Sequence, residues 1–241
     1  MEEKHLDFIL VPLGLLIMSI YHLWLLGCIV RNPKGTVIGL NALARERWVK
    51  FMMTDPLKNG VLAVQTIRNN IMASTLLATT AITLSSLIGV VVSSSKDSTT
   101  AALLIYGNTS PLASSIKYFT ILVCFLVAFL FNVQSIRYYA HTSILISVAA
   151  PKDLEGSLEY VVRSLNRGSF FWSLGLRSFY FSFPLFLWIF GPIPMFVCCC
   201  FMCLLLYFLD TTSHFTRKLH EFLGREDEAN KFKERESYLP V

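Results

Sequence analysis

Residues 8–30 read FILVPLGLLIMSIYHLWLLGCIV, an apolar run without a single Asp, Glu, Lys or Arg. A helix that crosses a bilayer needs roughly 20 predominantly apolar residues, and this run supplies them. Three further runs follow, from Ile71 to Val92, from Ile116 to Tyr139 and from Phe179 to Leu209. All are continuously apolar, whereas the strands of a membrane barrel alternate over about ten residues. The chain therefore predicts an all-α membrane fold, a bundle of four transmembrane elements. Glu2, Glu3 and Asp7 stand where a secretory signal carries basic residues, so the first run is expected to remain as a helix. Composition excludes an ordinary soluble domain: of 241 residues 54% are hydrophobic and 15% charged, against roughly a quarter charged in soluble proteins.

The fourth element is interrupted at Gly191-Pro192-Ile193-Pro194. Proline lacks the backbone donor and clashes with the preceding turn, and Ser178 to Leu209 is too long for one perpendicular crossing at about 1.5 Å per residue. Two arrangements fit. One tilted, broken helix crosses once, or Phe170 to Phe190 and Met195 to Thr212 form a hairpin that buries Arg177 and makes five helices in all.

Orientation follows from basic residues beside the spans. Arg31, Lys34, Arg45, Arg47, Lys50, Lys58 and Arg68 lie between the first and second runs against Glu46 and Asp55, so that loop is expected inside. The next loop is poor in charge and contains the sequon Asn108-Thr109-Ser110, which needs a lumenal or extracellular position. The N-terminus is thus expected outside, residues 137–177 inside, and the protein in the plasma membrane or another secretory-pathway membrane.

Residues 1–212 make up the expected bundle, with an amphipathic interfacial or cytoplasmic helix over 37–54 whose apolar face holds Val37, Leu40, Ala44, Trp48, Phe51 and Met52. Residues 93–115 predict an outer loop, and 151–167 a short cytoplasmic helix leading to Asn166-Arg167-Gly168. Residues 213–241 form a tail of mixed charge sign.

The second run carries the clearest functional pattern. At 100° per residue Thr75, Thr79, Thr83 and Ser86 share one stripe, with Arg68 below it, while Leu77, Ala81, Leu84, Ile88 and Val91 lie opposite. Such a face can line water, with Arg68 at an anion-attracting mouth. Small and hydroxylated residues also let membrane helices pack closely, and both readings stand on the sequence.

Charges within apolar segments are costly and commonly functional. Arg68, Arg137 and Arg177 all lie near inner boundaries where long side chains reach the headgroups. Arg177, flanked by aromatic residues, is the candidate for a buried charge. His22 reads as a packing residue, and Asp7, Asp210 and His214 as residues at helix ends. Cys198, Cys199, Cys200 and Cys203 point in different directions on a helix and read as packing or palmitoylation positions, with no metal expected. No P-loop, nucleophile elbow, H-E-x-x-H or paired intramembrane aspartates are present, so neither an enzyme nor a cofactor is expected.

VLAVQTIRNNIMAST over 61–75, running on to Gly89, and NRGSFFWSLGLRSFYF over 166–181, running on to Met195, resemble a plant membrane protein family with bacterial relatives, catalogued only as a domain of unknown function, family 599. The resemblance covers roughly residues 8–212. It implies a plant source and a four-helix-type membrane protein, and it brings no activity or catalytic residues. The bacterial members are similar around Asn166-Arg167-Gly168, Arg177, Tyr180 and Phe181.

The leading expectation is a homo-oligomeric channel lined by the second span and biased toward anions by Arg68, with a contribution from Arg177. A membrane scaffold or lipid-binding protein is the alternative, its basic loop and amphipathic helix meeting anionic headgroups at the cytoplasmic face. A small-solute transporter working about the broken Gly191-to-Pro194 segment is another. The expected partners are the bilayer, further copies of the chain and anionic lipid headgroups, without nucleic acid.

Overall fold

The computed structural model describes residues 3–94, 110–147, 154–212 and Lys218. Its elements are α1 (Glu3–Arg31), α2 (Val37–Thr54), α3 (Pro56–Ser94), α4 (Pro111–Ser147), α5 (Leu154–Leu187) and α6 (Pro192–Asp210), with a single 3₁₀ turn at Pro33–Gly35 after α1. α1, α3, α4 and α6 are long and apolar enough to cross a membrane, and the chain is a membrane-spanning helical protein. α5 runs among them.

Helix starts follow local chemistry. Pro56, Pro111 and Pro192 each occupy the first helical position, where the missing N–H is no loss. The Asp55 carboxylate accepts the Lys58 N–H, the Ser110 hydroxyl that of Ala113, and the Thr36 hydroxyl that of Gly39, each satisfying a donor left open at a helix start. Gly39 has a further constraint: a Cβ there would collide with the Pro33 carbonyl, so the corner between α1 and α2 closes only over glycine.

The last element resolves as two helices. α5 ends at Leu187, a turn carries the chain through Gly191 at φ 157°, and α6 begins. The Gly191–Pro194 segment is thus a tight link between two neighbouring helices and not a break inside one. The short helix expected over 151–167 is also corrected. From Leu154 onward it continues without interruption through Asn166-Arg167-Gly168 as the first half of α5.

Gly168 and Gly175 have packing roles inside that helix. A Cβ on Gly168 would lie 2.9 Å from the Tyr139 ring, and one on Gly175 would lie 2.5 Å from the Asn132 amide nitrogen. Both glycines bring α5 close against α4, as small residues do in membrane bundles. Hydroxyls bridge the same seam: Ser135 donates to the Gly168 carbonyl at 2.8 Å and meets Ser74 of α3 at 3.2 Å, while Thr142 donates to Ser164 at 2.9 Å.

The main contacts run from α3 to α4, α4 to α5, α5 to α6 and α6 to α1. This makes an open row with α3 and α1 at its ends. Two apolar cores are stacked along it. One, within the membrane, joins Met18, Ala81, Phe125, Phe179 and Met202 from five helices. The other lies at the basic end, where Val49, Met52 and Met53 of α2 pack on Ile67, Ile146 and Leu165 of α3, α4 and α5. Helices of 39, 37 and 34 residues are about 50–60 Å long at 1.5 Å per residue, against a hydrocarbon core of about 30 Å. Their excess length builds the second core. α2 spans Val37–Thr54, and of its expected apolar face Leu40 and Met52 are buried and Trp48 packs on the second core, while Phe51 is 63% exposed and Val49 and Met53 are buried in addition.

Candidate functional site

Three polar features are laid out by this packing. The first is the α3 stripe. Arg68, Thr75, Thr79, Thr83 and Ser86 are all exposed, on the face turned away from α4. The hydroxyls of Thr75, Thr79 and Thr83 each donate at 2.9 Å to the carbonyl four residues back, and that of Ser86 at 3.0 Å. Thr80 does the same at 2.8 Å. With donors satisfied inside the helix, the stripe presents only acceptor lone pairs outward. Packing within the chain uses other residues: Ser74, Ala78, Ala81, Ser85 and Ile88 form the buried face. The hydroxyls that bridge helices are therefore those of Ser74, Ser135, Thr142 and Ser164, none of them on the stripe.

The second feature is a buried charge network. The Arg177 Nη2 lies 2.8 Å from the Asp210 Oδ1, with side chains 14% and 11% exposed. The other oxygen of Asp210 accepts the Tyr21 hydroxyl at 2.7 Å, so α1, α5 and α6 are joined at one level. His22 is beside it, its ring 4.8 Å from that of Phe181. Its Nδ1 is 2.8 Å from the Met18 carbonyl. A carbonyl only accepts, so Nδ1 carries hydrogen and Nε2 of the neutral ring is an acceptor. That Nε2 and the Arg177 Nη1 are both buried without a protein partner. Arg177 is paired with Asp210 and stands on α5, with α4 between it and α3.

Asp7 and Asp210, read from sequence as helix-end residues, are both buried. At the far end the Trp188 Nε1 donates to Asp7 at 3.0 Å, and the ammonium of Lys117, only 4% exposed, sits 5.6 Å over the Trp188 ring. One signal was available: carboxylates abutting apolar runs have few ways to be buried except against a cation or a strong donor.

The third feature lies at the basic end. Arg45 on α2 donates from Nε to the Asn166 Oδ1 on α5 at 2.8 Å. Burial pushes its guanidinium below the ordinary arginine value, with Tyr139 opposing the shift. A cavity of about 630 Å³ between α2 and α5 and one of about 180 Å³ toward α3 and α4 share Arg45, Ser169 and Trp172 as walls. Arg163 and Arg167 also line the larger one.

Arg137 is exposed. The cysteines at 198, 199, 200 and 203 are free thiols spread around α6, with Cys199 buried against Gly14, and among the described residues no three metal-binding side chains converge. Asn108, His214 and the tail, Lys218 apart, lie outside the described residues.

A family model described as "protein of unknown function, DUF599" matches residues 9–215. No curated protein and no solved structure matches the chain.

Proposed function

The chain belongs to that family of unknown function, and on this premise we propose that it is a homo-oligomeric ion channel whose pore is lined by the α3 stripe. One observation carries the reading: α3 stands at the end of the helix row and turns Thr75, Thr79, Thr83 and Ser86 outward, uncovered by any other described helix of the subunit. An open row of five packed helices has no central aqueous path, so conduction requires symmetry between copies. Stripes meeting about a common axis would line it with hydroxyl oxygens, and exposed Arg68 at the basic mouth would favour anions.

Further expectations accompany the reading. Positive residues place the basic end in the cytoplasm and the N-terminus outside; five crossings then put the tail inside. The basic end faces anionic headgroups, and Asn108 on the outer side is a glycosylation acceptor. The plasma membrane or another secretory-pathway membrane suits both. The reading assigns no catalytic residue and no cofactor.

The test joins oligomeric state to conductance. Purified protein in mild detergent is expected as a closed oligomer, and in planar bilayers as an anion-preferring conductance. Thr79→Val with Thr83→Val lowers that conductance and Arg68→Glu reverses the preference, whereas joint replacement of Arg45, Arg47 and Lys50 leaves permeation unchanged. A monomer with no conductance would sink the proposal.

A further inference from the structure

We infer that the cavity between α2 and α5 is a binding site for one anionic glycerophospholipid, whose phosphate sits on Arg45. Its volume of about 630 Å³ falls in the usual range for ligand pockets, roughly 300–1,000 Å³. Its charge is unbalanced. Glu159 is engaged by Arg163 and Glu46 by Lys50, which leaves Arg45 and Arg167 without a carboxylate among the described residues. Arg45 is the telling group. It is half-buried in the cavity wall, its Nε is fixed by Asn166, and among the described residues no acceptor takes its two Nη groups. A guanidinium keeps its charge and carries its donors in a fixed planar fork, so the two Nη groups match an acceptor with paired oxygens. A phosphate meeting the two Nη groups side by side would satisfy it.

The rest of the wall selects a lipid over a free phosphate. Ile29, at the last apolar turn of α1 before Arg31, borders the cavity together with Ile38, Leu43 and Phe170. The site thus lies where the apolar run gives way to the basic end, the depth of a headgroup, with apolar surface beside the guanidinium to receive the upper acyl chain. Free phosphate leaves that surface unused. The site is independent of the α3 stripe, and its failure leaves the channel reading untouched.

The test is a thermal-shift and native mass spectrometry titration of the full chain in mild detergent with dioctanoyl phosphatidic acid. Dioctanoyl phosphatidylcholine and inorganic phosphate are the comparison probes. Phosphatidic acid is expected to raise the melting temperature and bind one per subunit. Arg45→Gln should weaken binding about tenfold or more, the loss of one bidentate charge-assisted contact, while its melting temperature without lipid stays close to the parent's, since the half-buried guanidinium has no carboxylate partner to lose among the described residues. Arg47→Gln should bind as the parent does. Should Arg45→Gln fail to fold, Ala42→Trp fills the cavity with Arg45 intact and should abolish the shift. Retention of the phosphatidic acid shift in either variant overturns the site. An equal shift with phosphatidylcholine or with inorganic phosphate overturns the lipid assignment.

Discussion

Removing Asp210 should be the most damaging single change within the membrane. In Asp210→Leu the Arg177 guanidinium loses the carboxylate 2.8 Å away, and its neighbour Nη1 already lacks a protein partner. Breaking one side of a buried pair costs about 3–5 kcal/mol. Arg177→Met should cost less, about 2 kcal/mol, because the carboxylate left behind keeps the Tyr21 hydroxyl as a donor, whereas Arg177 without Asp210 keeps no side-chain acceptor among the described residues. The double variant Arg177→Met/Asp210→Leu should return to within about 1 kcal/mol of the parent, since apolar replacement of a buried pair is often close to neutral. The four proteins form a cycle whose coupling, set by those three losses, should reach about 4–6 kcal/mol, read by reversible unfolding in mixed micelles. Hydrogen bonds between membrane helices average only about 0.6 kcal/mol, which sets the competing value. Single variants each costing under about 1 kcal/mol, with a double equal to their sum, would refute the argument that the pair is a buried charge network.

Tyr21→Phe should lose about 1.5–3 kcal/mol in the same unfolding assay, the worth of a hydrogen bond to a charged group. Gly168→Ala and Gly175→Ala should each destabilise by about 1–3 kcal/mol through overpacking against Tyr139 and Asn132. Gly60→Ala and Gly156→Ala meet nothing within 4 Å and should instead be neutral or gain up to about 1 kcal/mol from helix propensity. Gly39→Ala should open the corner at Pro33 and expose Arg45 and Arg47 to trypsin, seen as cleavage rates well above those of the parent.

Much of the fold was legible because the bilayer leaves few choices: runs such as Phe8–Val30 must become helices, and prolines at 56, 111 and 192 mark where helices begin. The hairpin alternative for the final element was visible in Gly191-Pro192, though one sequence alone did not choose it. What escaped was pairing between distant segments. Arg177 was recognisable as a costly charge, yet its partner Asp210 stands 33 positions on and Tyr21 belongs to another helix. The two residues are joined only when α1 and α6 run side by side. On α2 the projection found Leu40 and Met52 but misplaced Phe51 for a related reason: it weighs that residue by hydrophobicity, whereas burial was decided by where α3, α4 and α5 meet α2.

The length of α3 has a mechanical side. It is one rod of 39 residues, without internal proline, gripped at its basic end by α2 and along its flank by α4. From Pro56 to the middle of the Thr75–Ser86 stretch is about 36 Å at 1.5 Å per residue. A 5° rocking about the gripped end therefore sweeps that stretch sideways by about 3 Å, more than the diameter of a water molecule. A small tilt of α3 and α4 together at the basic-end core would thus be geared up into a displacement of molecular size inside the bilayer, with no hinge needed between them.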